Sequence, residues 1–306
     1  MRFWIWFNVT VTLALFTATL VFLVRRALRE GRLTAELALF LATLTLGWME
    51  AVIDWGGFVY YSPDWPHFPE SWPVVRLIPV LPLHIPLCYT WFFWGGSVMG
   101  RGLARWVLVR RPGLPIGATL LAAGLFVGFA FDAVVENFFI VVGGAWNYTQ
   151  VWGPLALRGG TDTQWPVYMG FAMGLTISPL TYLLGKRNDR GEDLLAAWLG
   201  RARERSRSSG SGTAGAATRR QVGWARYLVA WIIVVHVIYG AVSLGYAVLR
   251  WSGVQTTVGT VQPYPNGPAW YDDDVTEPGD PSVNTEPTQK SVDDGVPDEN
   301  VPPKVG

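Results

Sequence analysis

An all-α, polytopic membrane bundle of about six helices, followed by a disordered acidic tail, is the fold class this sequence predicts. Three observations carry that expectation. Half of the 306 residues are hydrophobic, only 15% are charged, and 17 are tryptophan, a balance expected of a chain solvated by lipid. Six apolar runs, over 3–24, 33–55, 78–99, 116–142, 165–185 and 227–249, reach the ~18 residues or more of a spanning helix. Basic residues, finally, gather in alternate loops although the net charge is only +1.

The first run starts at the N-terminus, where a signal peptide would also lie. Only Arg2 precedes it, and it ends in "RRALREGR" without a small-residue cleavage site, so it reads as a spanning helix. Arg25, Arg26, Arg29 and Arg32 follow the first run. Arg101, Arg105, Arg110 and Arg111 follow the third, and Lys186 to Arg226 fills the gap between the fifth and sixth. The intervening loops carry chiefly Arg76 and Arg158. The positive-inside rule then places the basic loops in the cytoplasm, with both termini outside a multi-pass plasma-membrane protein.

Residues 1–250 form the expected membrane domain, with 186–226 as its cytoplasmic basic linker. Within that linker "RGEDLLAAWLGRARER" has a helical apolar period, which suits a helix on the membrane surface or an ordinary loop helix. "SRSSGSGTAGAATRR" reads as a flexible connector. Residues 251–306 are acidic and proline-rich, and such a segment buries too little to fold alone. The outer loops "YYSPDWPHFPESWP" and "GGAWNYTQVWGPLALRGGTDTQWP" are crowded with aromatics, as an interfacial belt or as a lid over a site.

The chemistry resides in acids inside the apolar runs. "WMEAVIDW" holds Glu50 and Asp54, and "FDAVVENFF" holds Asp132 and Glu136. A spacing of four puts each pair on one helix face. Charges in a bilayer are costly, so they usually face the protein interior and mark function. If the two faces meet, crowded carboxyls share protons and offer an acid beside a carboxylate, suited to acid-promoted closure of a lipophilic substrate. Trp48, Asn137, Trp146, Tyr148 and His84 are the expected substrate contacts. Gln164 and Tyr168, in "QWPVYMG", could donate hydrogen bonds to substrate oxygens or be plain belt residues. His84 could equally be a packed histidine, as could His236.

Three other readings stand beside this one. Asp54 and Glu50 could cap a helix or pair with Arg76. The acid pairs also resemble those of UbiA-type prenyltransferases, which hold Mg²⁺ and a diphosphate, although basic partners are sparse. Paired intramembrane acids would also serve a proton-coupled transporter or a lipid-binding protein. No metal or other cofactor is expected, since Cys88 is the only cysteine and the histidines lack ligand spacing. The expected partners are a lipophilic small molecule and the bilayer, with no nucleic acid.

Taken in order, "RRALREGRLTAELALFLATLTLGWMEAVIDW", "FDAVVENFF", "GAWNY", "TQWPVY" and "YPNG" resemble the AveC-like spirocyclases, actinobacterial membrane proteins of polyketide biosynthesis, over about residues 20–270. The resemblance implies cyclisation at the acid sites, and partnership with polyketide biosynthesis enzymes. It implies Glu136 as acid with Asp132 as its partner, Glu50 as base or orienting group, and Tyr168 as oxygen donor. Glu50, Asp132, Glu136, Gln164, Pro166 and Tyr168 match family positions. Met169 departs from relatives that carry an acid there, and Asp54 has no clear match. "GAWNY" is also faintly similar to membrane carotenoid cyclases.

Overall fold

In the computed structural model of the chain, residues 2–69, 72, 77–78, 80–189, 191–200 and 223–259 are described. Arg76, linker residues 201–222 and tail residues 260–306 lie outside them. Helix α1 (Arg2–Glu30) comes first. The second run is α2 (Ala35–Thr43), a 3₁₀ stretch at Leu44–Met49, and α3 (Glu50–Gly57), which leads into β1 (Val59–Tyr61). Then come α4 (Ile85–Arg110) and α5 (Ile116–Phe138), the latter extended by a π-turn at Phe139–Gly143. Four short strands follow, β2 (Trp146–Tyr148), β3 (Gln150–Val151), β4 (Ala156–Leu157) and β5 (Trp165–Pro166). The chain continues through α6 (Val167–Gly185), α7 (194–200), α8 (Trp224–Trp251) and β6 (Thr257–Val258).

Five of these segments are long and apolar enough to cross a membrane: α1, Ala35–Gly57, Ile116–Gly143, α6 and α8. The fold class read from the sequence therefore holds, and this is a membrane protein. The third expected span differs. Residues 78 and 80–84 are not helical, because prolines at 82 and 86 deny helix continuity before the first turn. Helix α4 is long enough at 26 residues, but its tryptophans, glycines, Arg101 and Arg105 make it less apolar than the other five. It packs against α1, α2, α5 and α6, which cover it.

Small residues set the closest packing. A Cβ at Gly128 of α5 would lie 2.7 Å from Cα of Gly174 on α6, and one at Gly124 the same distance from Cα of Ser178. Spaced by four on each helix, these residues form the small-residue faces that let backbones approach in a bilayer. On the other side of the bundle α3 lies against α8.

The two ends of the bundle differ. At one end Glu36, 5% exposed, takes ion pairs from Arg26 and from Arg101 at 2.7 Å, so the basic stretches that follow the first and third apolar runs meet there. At the other end lie the strands. Helices α3 and α5 both stop in left-handed residues, Phe58 (φ 54°) and Gly144 (φ 54°), the second through its π-turn. Each turn feeds a strand, and β1 and β2 pair antiparallel with Val59 opposite Tyr148 and Tyr61 opposite Trp146. A left-handed phenylalanine is strained by roughly 1–2 kcal/mol. Thr149 N–H donates to its carbonyl at 2.9 Å, and the Arg250 guanidinium sits 4.0 Å over its ring, which hold it there.

Candidate active site

The 3₁₀ stretch delivers the chain to Glu50 as the first residue of α3, and one turn later Asp54 shares its face. Asp132 and Glu136 stand likewise near the end of α5. Glu50, Asp54 and Asp132 are 8%, 3% and 4% exposed; Glu136 is half-buried. Helices α3 and α5 do not form one of the main helix contacts. Their acids nevertheless converge, since the charge of Glu136 acts on Glu50, Asp54 and Asp132, and that of Glu50 on Asp132.

The cluster is dressed by phenols and an indole. Tyr148 O–H faces both oxygens of Glu136, at 3.0 and 2.8 Å, and Trp165 Nε1–H donates to Oε2 at 2.6 Å. Tyr61 donates to Glu50 Oε1 at 3.4 Å, and Tyr239 to Oε2 at 3.2 Å. Tyr61 also hydrogen-bonds Asp54, and Tyr89 hydrogen-bonds Tyr239. Pairing alternates faces along a strand, so Tyr61 and Tyr148 emerge from the same face of the β1–β2 ladder, one for each acid helix. Burial and then Glu136 push the Tyr148 phenol well above its ordinary range; burial and then Asp54 do the same to Tyr61. Both phenols are therefore held as donors.

Two carboxyl oxygens stand apart. Asp54 Oδ2 and Asp132 Oδ2 are buried without a hydrogen-bond partner, whereas buried polar atoms are normally paired. None of the four acids joins an ion pair with a described residue. Among the described residues no three of His, Cys, Asp and Glu converge as a metal site.

Other expected contacts fall elsewhere. Trp48 is 51% exposed and donates to His236 Nε2 at 3.3 Å. His84 stacks on Trp65 at 4.7 Å, as a packed histidine does. Asn137 receives Arg158 and donates to Ala133 O at 2.8 Å. Gln164 uses its whole amide on the backbone: Nε2 donates to Tyr148 O and Thr149 O, and Oε1 accepts from Gly160 N–H. It braces β2 and has no free donor for a ligand. Tyr168 accepts from Gln255 at 3.1 Å. Trp146 does border the site, stacked on Phe139 with centroids 5.5 Å apart and 6.0 Å from Tyr61.

Tyr61, Tyr89, Trp165, Tyr239 and Tyr246 escaped sequence reasoning. Tyr239 and Tyr246, seven apart on α8, share a helical face, and that spacing was the available signal. Tyr246 donates to Met169 Sδ at 3.1 Å, so Met169 borders the cluster.

Compared with known families, the chain matches the one described as Spirocyclase AveC-like over residues 30–270. No curated protein and no solved structure matches it.

Proposed function

The chain belongs to the AveC-like spirocyclase family, and on that premise we propose that its acid cluster closes a spiroketal from a lipophilic, polyketide-type ketone-diol. The observation that carries this reading is the division of the four carboxyls into two kinds. Glu50 and Glu136 are gripped by donors and act as acceptors. Asp54 and Asp132 each keep one buried oxygen unengaged.

In the reaction, one substrate hydroxyl adds to the ketone to give a hemiketal. Asp132 passes a proton to the hemiketal hydroxyl, which leaves as water, and the ring oxygen stabilises the resulting oxocarbenium. The second hydroxyl attacks that carbon and gives its proton to Glu136, so the products are the spiroketal and water. Proton return between the two side chains, one turn apart, closes the cycle. Tyr148 and Trp165 keep Glu136 an acceptor, and the Asp54–Glu50 pair supplies negative charge for the cation. These roles exchange the acid and its partner relative to those implied by the family resemblance.

The arginine-rich end of the bundle lies in the cytoplasm in this reading, and the strands and both termini outside. The meeting of Arg26 and Arg101 at Glu36 supports it. A polyketide-type pathway supplies the ketone-diol from the membrane. The test is to offer ketone-diols to the purified protein in detergent and read product chirality. One dominant enantiomer, lost in Asp132→Asn, supports the proposal; racemic product at the uncatalysed rate defeats it. A proton-coupled transporter remains the second reading, favoured by four carboxyls within the bundle that lack a counter-ion among the described residues, and proton flux in vesicles without substrate would reveal it.

A further inference from the structure

We propose that the acid cluster binds lipophilic organic ammonium ions. The inference rests on taking the same cluster as the reactive site, and extends it from a transient cation to a stable ligand class.

Four carboxyls act on one another in the interior of a membrane bundle, yet every described ion pair lies elsewhere, on Asp64, Glu30, Glu36 or Asp193. Buried charge without a partner is costly, and an arriving cation removes that cost. Tyr148, Trp165 and Tyr239 are already bound to the two glutamates, and Tyr61 to Glu50 and Asp54. What remains unsatisfied is Asp54 Oδ2 and Asp132 Oδ2, in side chains more than nine-tenths buried. Both need a donor, and an N–H⁺ supplies donor and charge together.

The surroundings select an organic cation over a small inorganic one. Phe139, Trp146 and Tyr61 form a continuous aromatic wall, and Tyr239 and Tyr89 another. Aromatic faces attract alkylammonium groups. Hard cations instead want several oxygen ligands at one point, and among the described residues no three His, Cys, Asp or Glu side chains are placed to hold one metal ion. A tertiary amine on a long alkyl chain satisfies each feature: charge for the acids, N–H for an orphaned oxygen, methyl groups for the rings, and a tail for the bilayer.

The experiment titrates the purified full-length chain, in a neutral maltoside detergent at pH 7, with N,N-dimethyldodecylamine and with its uncharged counterpart, dodecyl methyl ether. Tryptophan fluorescence reads occupancy. The expected result is saturable amine binding at least about tenfold tighter than that of the ether, reduced about tenfold in Asp54→Asn and Asp132→Asn while ether binding is unchanged. Equal affinity of amine and ether on the native chain overturns the inference, whether or not the variants fold. So does an amine preference that survives both substitutions. Amine binding without ring closure of ketone-diols would remove the cyclase reading and leave this one; ring closure with amine and ether bound alike would do the reverse.

Discussion

A single hydroxyl, that of Tyr148, spans both oxygens of Glu136 at 3.0 and 2.8 Å. The contact joins the strand end of the bundle to the acid face of α5, and β1 fixes it from the opposite side through Val59. Replacing Tyr148 by Phe leaves Glu136 with Trp165 as its remaining donor. The expected loss is about 1–3 kcal/mol of stability, with a larger fall in ring-closing rate than in substrate binding. Thermal unfolding in detergent and single-turnover kinetics check the two parts.

The same phenol yields a pH prediction. Burial and Glu136 raise its ionisation above the ordinary range, so Tyr148 keeps its proton as pH passes the usual phenol value of about 10. Absorbance titration of tyrosinate should therefore give the same number of tyrosines ionising near pH ~10 in the native chain and in Tyr148→Phe. A number that falls by one in the variant would show that Tyr148 titrates as an exposed phenol.

Gly128 tests the helix packing. A leucine there must displace the α6 backbone, since its Cβ alone would sit 2.7 Å from Cα of Gly174. The expected cost is roughly 1–3 kcal/mol or more. A matched leucine at Gly102, where no atom lies within 4 Å of a Cβ, should be tolerated. Melting temperatures of the two variants decide the point.

Glu36 tests the basic end. Glu36→Gln removes the shared counter-charge of Arg26 and Arg101. Both arginines are partly exposed and can turn to water, so about 1–3 kcal/mol is expected, below the figure for fully buried pairs. Denaturant titration of the native chain and of Glu36→Gln measures it.

Sidedness follows from labelling. In a chain with Cys88 replaced by Ala, a cysteine at Gly160 should react with membrane-impermeant maleimide in intact cells. A cysteine at Gly113 should react only after the membrane is opened. The opposite pattern would invert the assigned orientation.

Much of this was legible in the sequence, and the residues show why the rest was not. The i,i+4 spacing of Glu50 with Asp54 and of Asp132 with Glu136 is local, so both acid faces could be read directly. Their partners are not local. Tyr239 reaches Glu50 across 189 residues and Trp165 reaches Glu136 across 29, distances over which no periodicity speaks. Trp48 sits two residues before Glu50 in sequence but bonds His236 instead, because the 3₁₀ stretch that holds it departs from the helical phase of α3. Gln164 read as a ligand donor for want of knowing which backbone carbonyls would surround it. The proline-marked delay in α4 was visible in "PLHIP", yet hydropathy alone overrode it.

The pairing of Val59–Tyr61 with Trp146–Tyr148 works as a clasp on the two helices that bear the acids. Prising their tips apart would break main-chain bonds beside a bilayer, where stranded amides find little water. Any breathing that admits a bulky guest must therefore pivot about this rim and part the helices lower down. On the proposed function, a guest would enter sideways, out of the lipid.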